Sequence, residues 1–155
     1  MALQVGDKAP DFKLYSTDKK QVSLADFAGK TLVIHFFPQA FTGVCTQQMC
    51  TMRDNLSYYN DLNAEIVGIS VDSIFTLAKF KETEGINFTL LSDFNKEVSP
   101  AYGAFFDEFI LGMKGVSRRA AFVVDGTGTI RYAEVLESAG NLPDFDAMKA
   151  VVSAI

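Results

Sequence analysis

The chain has 155 residues, a net charge of −5, 48% hydrophobic and 21% charged residues, with 14 Phe and no Trp. That length suits one domain over residues 1–155, able to bury roughly two-thirds of its unfolded surface without disulfides or metals. Scattered Lys and Arg, with Lys19-Lys20 and Arg118-Arg119 the densest pairs, argue against nucleic acid or an anionic membrane surface as the main partner.

The first residues, Met1 to Asp7, carry no basic region followed by an apolar stretch, so no signal peptide is expected. Phe12–Tyr15 and Gln21–Ser23 flank a polar turn, Ser16–Lys20, and read as a small hairpin. Leu24–Phe27 is a short turn or helix ended by Gly29. Thr31–Phe37 is almost wholly apolar and reads as a strand buried on both faces, as in parallel sheets. Val44–Asn60 reads as a helix with apolar or aromatic residues at Met49, Met52, Leu56 and Tyr59, and Glu65–Val71 as a second buried strand. Ser73 caps a helix to about Glu84, stopped by Gly85. Thr89–Leu91 is a short strand, and Asp93 caps a short helix ending near Tyr102-Gly103. Ala121–Val124 and Ile130–Leu136 are strands joined by the hairpin signal Asp125-Gly-Thr-Gly128. Phe145–Ala154 closes the chain as an amphipathic helix. This alternation predicts an α/β sandwich with a mixed sheet and helices on both faces. No apolar run approaches the ~20 residues of a membrane span, and a cytoplasmic location is expected.

Both cysteines, Cys45 and Cys50, lie just past the Thr31–Phe37 strand, where sites form in such sheets. Cys45 falls at a helix N-terminus, where backbone N–H groups and the macrodipole favour a thiolate. Two buried small hydrophobes are the plain alternative. One His, no third Cys and four intervening residues make a zinc site a poor fit, and no cofactor is called for. A hydrolytic cysteine needs a His base. The one His, His35, sits inside the apolar strand and reads as a satisfied core residue. That leaves a cation as the means of stabilising a thiolate, and Arg118 or Arg119 could supply it. On one regular helix, two positions five apart are about 8.6 Å between Cα atoms. A disulfide needs less than ~7 Å, so joining Cys45 to Cys50 requires unwinding at least one turn.

Pro38-x-x-x-Thr42-x-x-Cys45 after a buried strand, with Arg119 three residues before Phe122, resembles the peroxiredoxin family. Val5-Gly-Asp-Lys-Ala-Pro-Asp-Phe12, Gly68-Ile-Ser-Val-Asp72, Leu90-Leu-Ser-Asp93, Ala101-Tyr-Gly103 and Gly126-Thr-Gly-Thr-Ile-Arg131 extend the resemblance over essentially the whole chain. The nearest subgroups are the Q-type, or bacterioferritin-comigratory, and the AhpE-like peroxiredoxins. Gln48 departs from the Glu that many relatives carry, so any ion pair made by that Glu is absent.

The resemblance implies a thioredoxin-like three-layer α/β/α sandwich and a thiol-dependent peroxidase. Cys45 would be the peroxidatic cysteine. Thr42, Arg119 and the N–H groups of residues 44 and 45 would hold the thiolate and the peroxide oxygens, with Pro38 shielding the sulfur from water. Cys50, five residues on as in the Q-type group, would resolve the sulfenic acid to an intramolecular disulfide, reduced by thioredoxin or glutaredoxin. A one-cysteine enzyme resolved by an external thiol and a non-enzymatic redox sensor are the alternatives. Ala104–Met113 is unusually apolar, and reads as core, as a collar around the site favouring organic peroxides, or as a homodimer interface. Monomer and homodimer both remain open.

Overall fold

The computed structural model describes residues 3–155. Met1 and Ala2, the start of the stretch read as carrying no leader, lie outside the described residues. Nine strands are described: β1 (Lys13–Ser16), β2 (Gln21–Ser23), β3 (Thr31–Phe36), β4 (Ala64–Ser70), β5 (Thr89–Ser92), β6 (Phe105–Glu108), β7 (Lys114–Ser117), β8 (Ala120–Val124) and β9 (Ile130–Val135). The helices are α1 (Gly43–Asp54), α2 (Leu56–Asp61), α3 (Ile74–Glu84), α4 (Val98–Ala101) and α5 (Phe145–Ala154), with 3-10 turns at Leu24–Phe27 and Ile110–Gly112.

Seven strands form one mixed sheet in the order β2-β1-β5-β4-β3-β8-β9. β3, β4 and β5 are parallel, with Val33 opposite Ile66 and Ile69 opposite Leu91. β8 runs antiparallel to β3, placing Ala121 opposite His35, and β9 runs antiparallel to β8. β3 is central, and five of its six residues are buried because helices cover both faces. Its period-2 alternation divides the core. Val33 and Phe37 join Cys45, Met49 and Met52 of α1, Leu77 and Phe80 of α3, and Met148 and Val152 of α5. Leu32, Ile34 and Phe36 join Phe12, Val98, Tyr102 and Phe122 on the opposite face. This is the thioredoxin-like arrangement expected from the sequence.

Gly68 of β4 lies where these layers come closest. A Cβ there would fall 2.8 Å from Leu90 and 3.0 Å from the Met49 sulfur. Glycine therefore lets α1 seat directly on the sheet. Among the described residues, no helix is long and apolar enough to cross a membrane.

Three elements differ from the sequence expectation. The helix read as Val44–Asn60 is two helices, interrupted at Asn55 (φ −106°, ψ 8°). Asn55 Nδ2 donates to the Thr51 carbonyl at 2.7 Å, a local bond that competes with the helical ladder. Asp93 caps the short helix as expected, but across a turn, since the helix begins only at Val98. Its carboxylate accepts from the N–H groups of Glu97, Val98 and Ser99 at 2.9, 3.1 and 2.7 Å, and so caps α4 from five residues before its first residue. The apolar stretch Ala104–Met113 is the first arm and turn of a two-stranded β6–β7 ribbon. Ala104 is buried, but Ile110 and Leu111 at the turn point to solvent, Leu111 being 92% exposed.

Candidate active site

β3 ends at Phe36, and buried Phe37 and Pro38 carry the chain out of the sheet to Thr42 and α1. The loop between is tied from β4. Ala40 N–H donates to Asp72 Oδ2 at 2.8 Å, and the Ser70 hydroxyl donates to the same oxygen at 2.6 Å. Phe41 takes a left-handed backbone conformation (φ 69°) and lays its ring edge-on against Phe80, with centroids 5.2 Å apart.

Thr42 precedes α1 but does not cap it with its side chain. Its hydroxyl donates instead to the Gln39 carbonyl at 2.9 Å. Thr46 N–H bonds back to the Thr42 carbonyl at 2.9 Å, so the N–H groups of Gly43, Val44 and Cys45 lie ahead of the helical ladder. Those groups give the first turn of α1 its anion preference. The inward positions of α1 are Cys45, Gln48, Met49 and Met52, the spacing of one helical face.

Arg119 reaches this face from the residue before β8. It is 2% exposed, and its Nη1 donates to Cys45 Sγ at 3.3 Å and to Gln48 Oε1 at 2.8 Å. Its Nη2 donates to the Ala139 carbonyl at 2.8 Å, in the segment joining β9 to α5. None of the ion pairs among the described residues involves Arg119. Its neighbour Arg118 has a different place, with its guanidinium 4.2 Å above the Phe106 ring.

Gln48 links two groups. Its Nε2 donates to His35 Nδ1 at 2.9 Å and to the Phe36 carbonyl at 3.3 Å. His35 is fully buried, and burial alone pushes its pKa down to about 3. Its ring stacks near Phe145 with centroids 6.1 Å apart, and its Nε2 has no partner among the described residues. His35 is therefore a half-satisfied core residue, not the satisfied one expected. A polar ring in an apolar strand demands a buried partner. Gln48, three residues after Cys45 on the same helical face, was the available signal.

Cys50 lies on another side of α1. It is partly buried, and its Sγ donates to Glu84 Oε1 at 3.7 Å. Burial first, then Glu84 and Asp54, push its thiol pKa up, against the lowering influence of Arg53. Both cysteines are free thiols. The structure thus brings together Cys45, Arg119 and Gln48, has Pro38 and Thr42 in the segment that leads into the same helix, and leaves Cys50 turned toward α3.

Residues 5–133 match the sequence model of the AhpC/TSA family. A putative peroxiredoxin of Mycobacterium tuberculosis is 42% identical over 134 residues, 85% of each chain. Peroxiredoxin Bcp of Escherichia coli is 37% identical over 132 residues, 84% of each chain. Among solved structures, peroxidoxin BcpB of Mycobacterium tuberculosis superposes with a TM-score of 0.86 at 28% identity, covering 99% of this chain and 98% of that one. A reduced 2-Cys peroxiredoxin of Plasmodium vivax also gives 0.86, at 30% identity over 98% of this chain and 81% of that one. A thiol at the head of α1, held by a buried guanidinium on a thioredoxin-like sheet, agrees with those relationships, and the chain belongs to the AhpC/TSA family: it is a peroxiredoxin, an enzyme that reduces peroxides with thiols.

Proposed function

We propose that Cys45 is the peroxidatic cysteine and Cys50 its resolving partner, in an enzyme that reduces hydrogen peroxide and organic hydroperoxides. The observation that carries this is the buried Arg119 guanidinium, 3.3 Å from Cys45 Sγ and without a carboxylate partner among the described residues. A buried cation needs an anion close by, and a thiolate at Cys45 supplies one.

The Cys45 thiolate attacks the nearer peroxide oxygen in line with the O–O bond. The S–O bond forms as the O–O bond breaks, and the electron pair leaves with the distal oxygen, which is protonated to water or an alcohol. Cys45 is left as a sulfenic acid. Arg119 and the N–H groups of residues 44 and 45 stabilise the charge as it moves onto the departing oxygen. The Thr42 hydroxyl has committed its proton to Gln39, so its lone pairs are left to accept from the peroxide O–H. Pro38, buried beside the strand end, keeps water from the sulfur. Cys50 then displaces hydroxide from the sulfenic sulfur, and thioredoxin or glutaredoxin reduces the resulting disulfide. The chain works as one domain in the reducing cytoplasm, as a monomer or homodimer.

One observation favours a second reading. Cys50 faces Glu84 and its thiol is pushed up, which suits a bystander in a one-cysteine enzyme resolved by an external thiol. The deciding experiment is the intact mass of the reduced protein after one equivalent of hydrogen peroxide, quenched within seconds. A loss of about 2 Da marks the internal disulfide. A gain of about 16 or 32 Da marks sulfenic or sulfinic acid and the one-cysteine enzyme. No change at that speed refutes the role given to Cys45 and leaves the redox sensor.

A further inference from the structure

We propose that His35 is a positioning residue for the peroxide reaction: as a neutral acceptor at Nδ1 it locks the Gln48 carboxamide, and Gln48 in turn aims Arg119 at Cys45.

The direction of the Gln48 amide follows from its neighbours. Arg119 has only donors, so the Gln48 atom 2.8 Å from its Nη1 must be the oxygen. The Phe36 carbonyl has only acceptor capacity, so the atom facing it at 3.3 Å must be the nitrogen. That nitrogen also lies 2.9 Å from His35 Nδ1, which must therefore be bare. The ring proton then belongs on Nε2, the buried atom without a partner among the described residues. Turning the amide over would set donor against donor at Arg119 and acceptor against acceptor at Phe36. Arg119 and Phe36 thus fix the orientation, and the His35 tautomer follows from it.

The consequence reaches the sulfur through one shared atom. Arg119 Nη1 bonds both Gln48 Oε1 and Cys45 Sγ, so moving the amide moves the donor at the thiol. Burial supports the arrangement by keeping the ring uncharged, since an imidazolium would place a proton on Nδ1 against the Gln48 N–H. With a carboxylate at position 48, Nδ1 would need that proton. Gln48 and a His35 bare at Nδ1 form a matched pair, and the Phe36 carbonyl, which only accepts, suits the amide nitrogen at position 48 where a carboxylate would bring a second acceptor.

This inference rests on Cys45 being the peroxidatic residue, and its tests separate the two claims. His35 is the only histidine, so its ring nitrogens give one unambiguous pair of NMR signals. In the unmodified protein at neutral pH, long-range proton–nitrogen correlation is expected to show Nε2 protonated and Nδ1 bare. A proton on Nδ1 overturns the proposal, whatever the variants do.

The second arm measures the rate of Cys45 oxidation by hydrogen peroxide in His35→Leu and His35→Asn. The first removes the acceptor, and the second returns an amide oxygen near the Nδ1 position. Loss of one buried hydrogen bond, ~1.4 kcal/mol, predicts a fall of about tenfold in His35→Leu. His35→Asn should recover most of it, with the KM for the reductant unchanged in both. A His35→Leu rate within about threefold of the parent, or no recovery in His35→Asn, overturns the proposal. If the unmodified protein reacts no faster than a free thiol, the role of Cys45 fails instead, and the ring-proton result still decides the geometry.

Discussion

The Arg119 guanidinium meets the Cys45 sulfur at 3.3 Å, and its other two partners are the neutral oxygens of Gln48 and Ala139. Replacing the guanidinium by an apolar group of similar length removes its function and leaves the Gln48 and Ala139 oxygens without that donor. Arg119→Met is therefore expected to slow the peroxide reaction by at least about a hundredfold, as loss of a transition-state donor does. Its urea midpoint should fall modestly, as stability drops by about 1–3 kcal/mol for a buried acceptor left without its donor. A lowered midpoint with the peroxide rate unchanged would show that Arg119 is chiefly structural. Peroxide competition kinetics and urea unfolding on the same sample decide between the two.

Oxidation should be visible in the backbone. Cys45 and Cys50 both lie in α1, a regular helix from Gly43 to Asp54, where positions five apart are about 8.6 Å between Cα atoms. A disulfide reaches less than ~7 Å. The disulfide form is expected to lose hydrogen-exchange protection across residues 44–50, while β3 and β4 keep theirs. Unchanged protection in α1 after disulfide formation would contradict the geometry.

Much of this was legible in the chain. The strand Thr31–Phe37, the Ser73 cap and Gly85 stop of α3, and the Asp125–Gly128 turn lie where local chemistry placed them. The cysteine at a helix head was visible for the same reason. What escaped depended on partners distant in sequence or on competing local bonds. The break at Asn55 comes from its own side chain bonding Thr51. The β6–β7 ribbon lacks an alternating pattern because both Phe105 and Phe106 are half-buried, on opposite faces of a two-stranded element. His35 could be seen to be buried, but its bond to Gln48 depends on how α1 docks across β3.

The histidine also predicts a pH dependence. Its pKa is lowered by burial from 6.5 to about 3, so between those values the unfolded chain binds the proton more tightly. Its contribution is fully present above about pH 6.5 and is lost as pH falls toward 3, at about 1.4 kcal/mol per pH unit. Urea unfolding from pH 7 to pH 4 should show this loss, and the same series on His35→Leu should show a shallower one. Parallel curves for the two proteins would mean that His35 does not carry it.

Asp72 links the end of β4 to the loop before α1, accepting from Ala40 N–H at 2.8 Å and from the Ser70 hydroxyl at 2.6 Å. Asp72→Ala leaves two donors without a charged acceptor, a cost of about 1–3 kcal/mol. It is expected to lower stability and slow Cys45 oxidation together, with Asp72→Asn intermediate. A rate that stays at the parent value while the midpoint falls would confine Asp72 to holding the fold.

The interruption at Asn55 bears on what oxidation does to the rest of the molecule. Helical turns melt cooperatively with their neighbours, and a continuous rod from Gly43 to Asp61 would carry fraying at one end toward the other. Asn55 divides that rod, and buried Tyr59 pins the second piece in the core. The break acts as a firebreak. Should the two sulfurs join as proposed, the loss of helix is expected to stop within the twelve residues of α1 while the next helix keeps its seat, leaving reduction a short segment to rewind onto an intact platform.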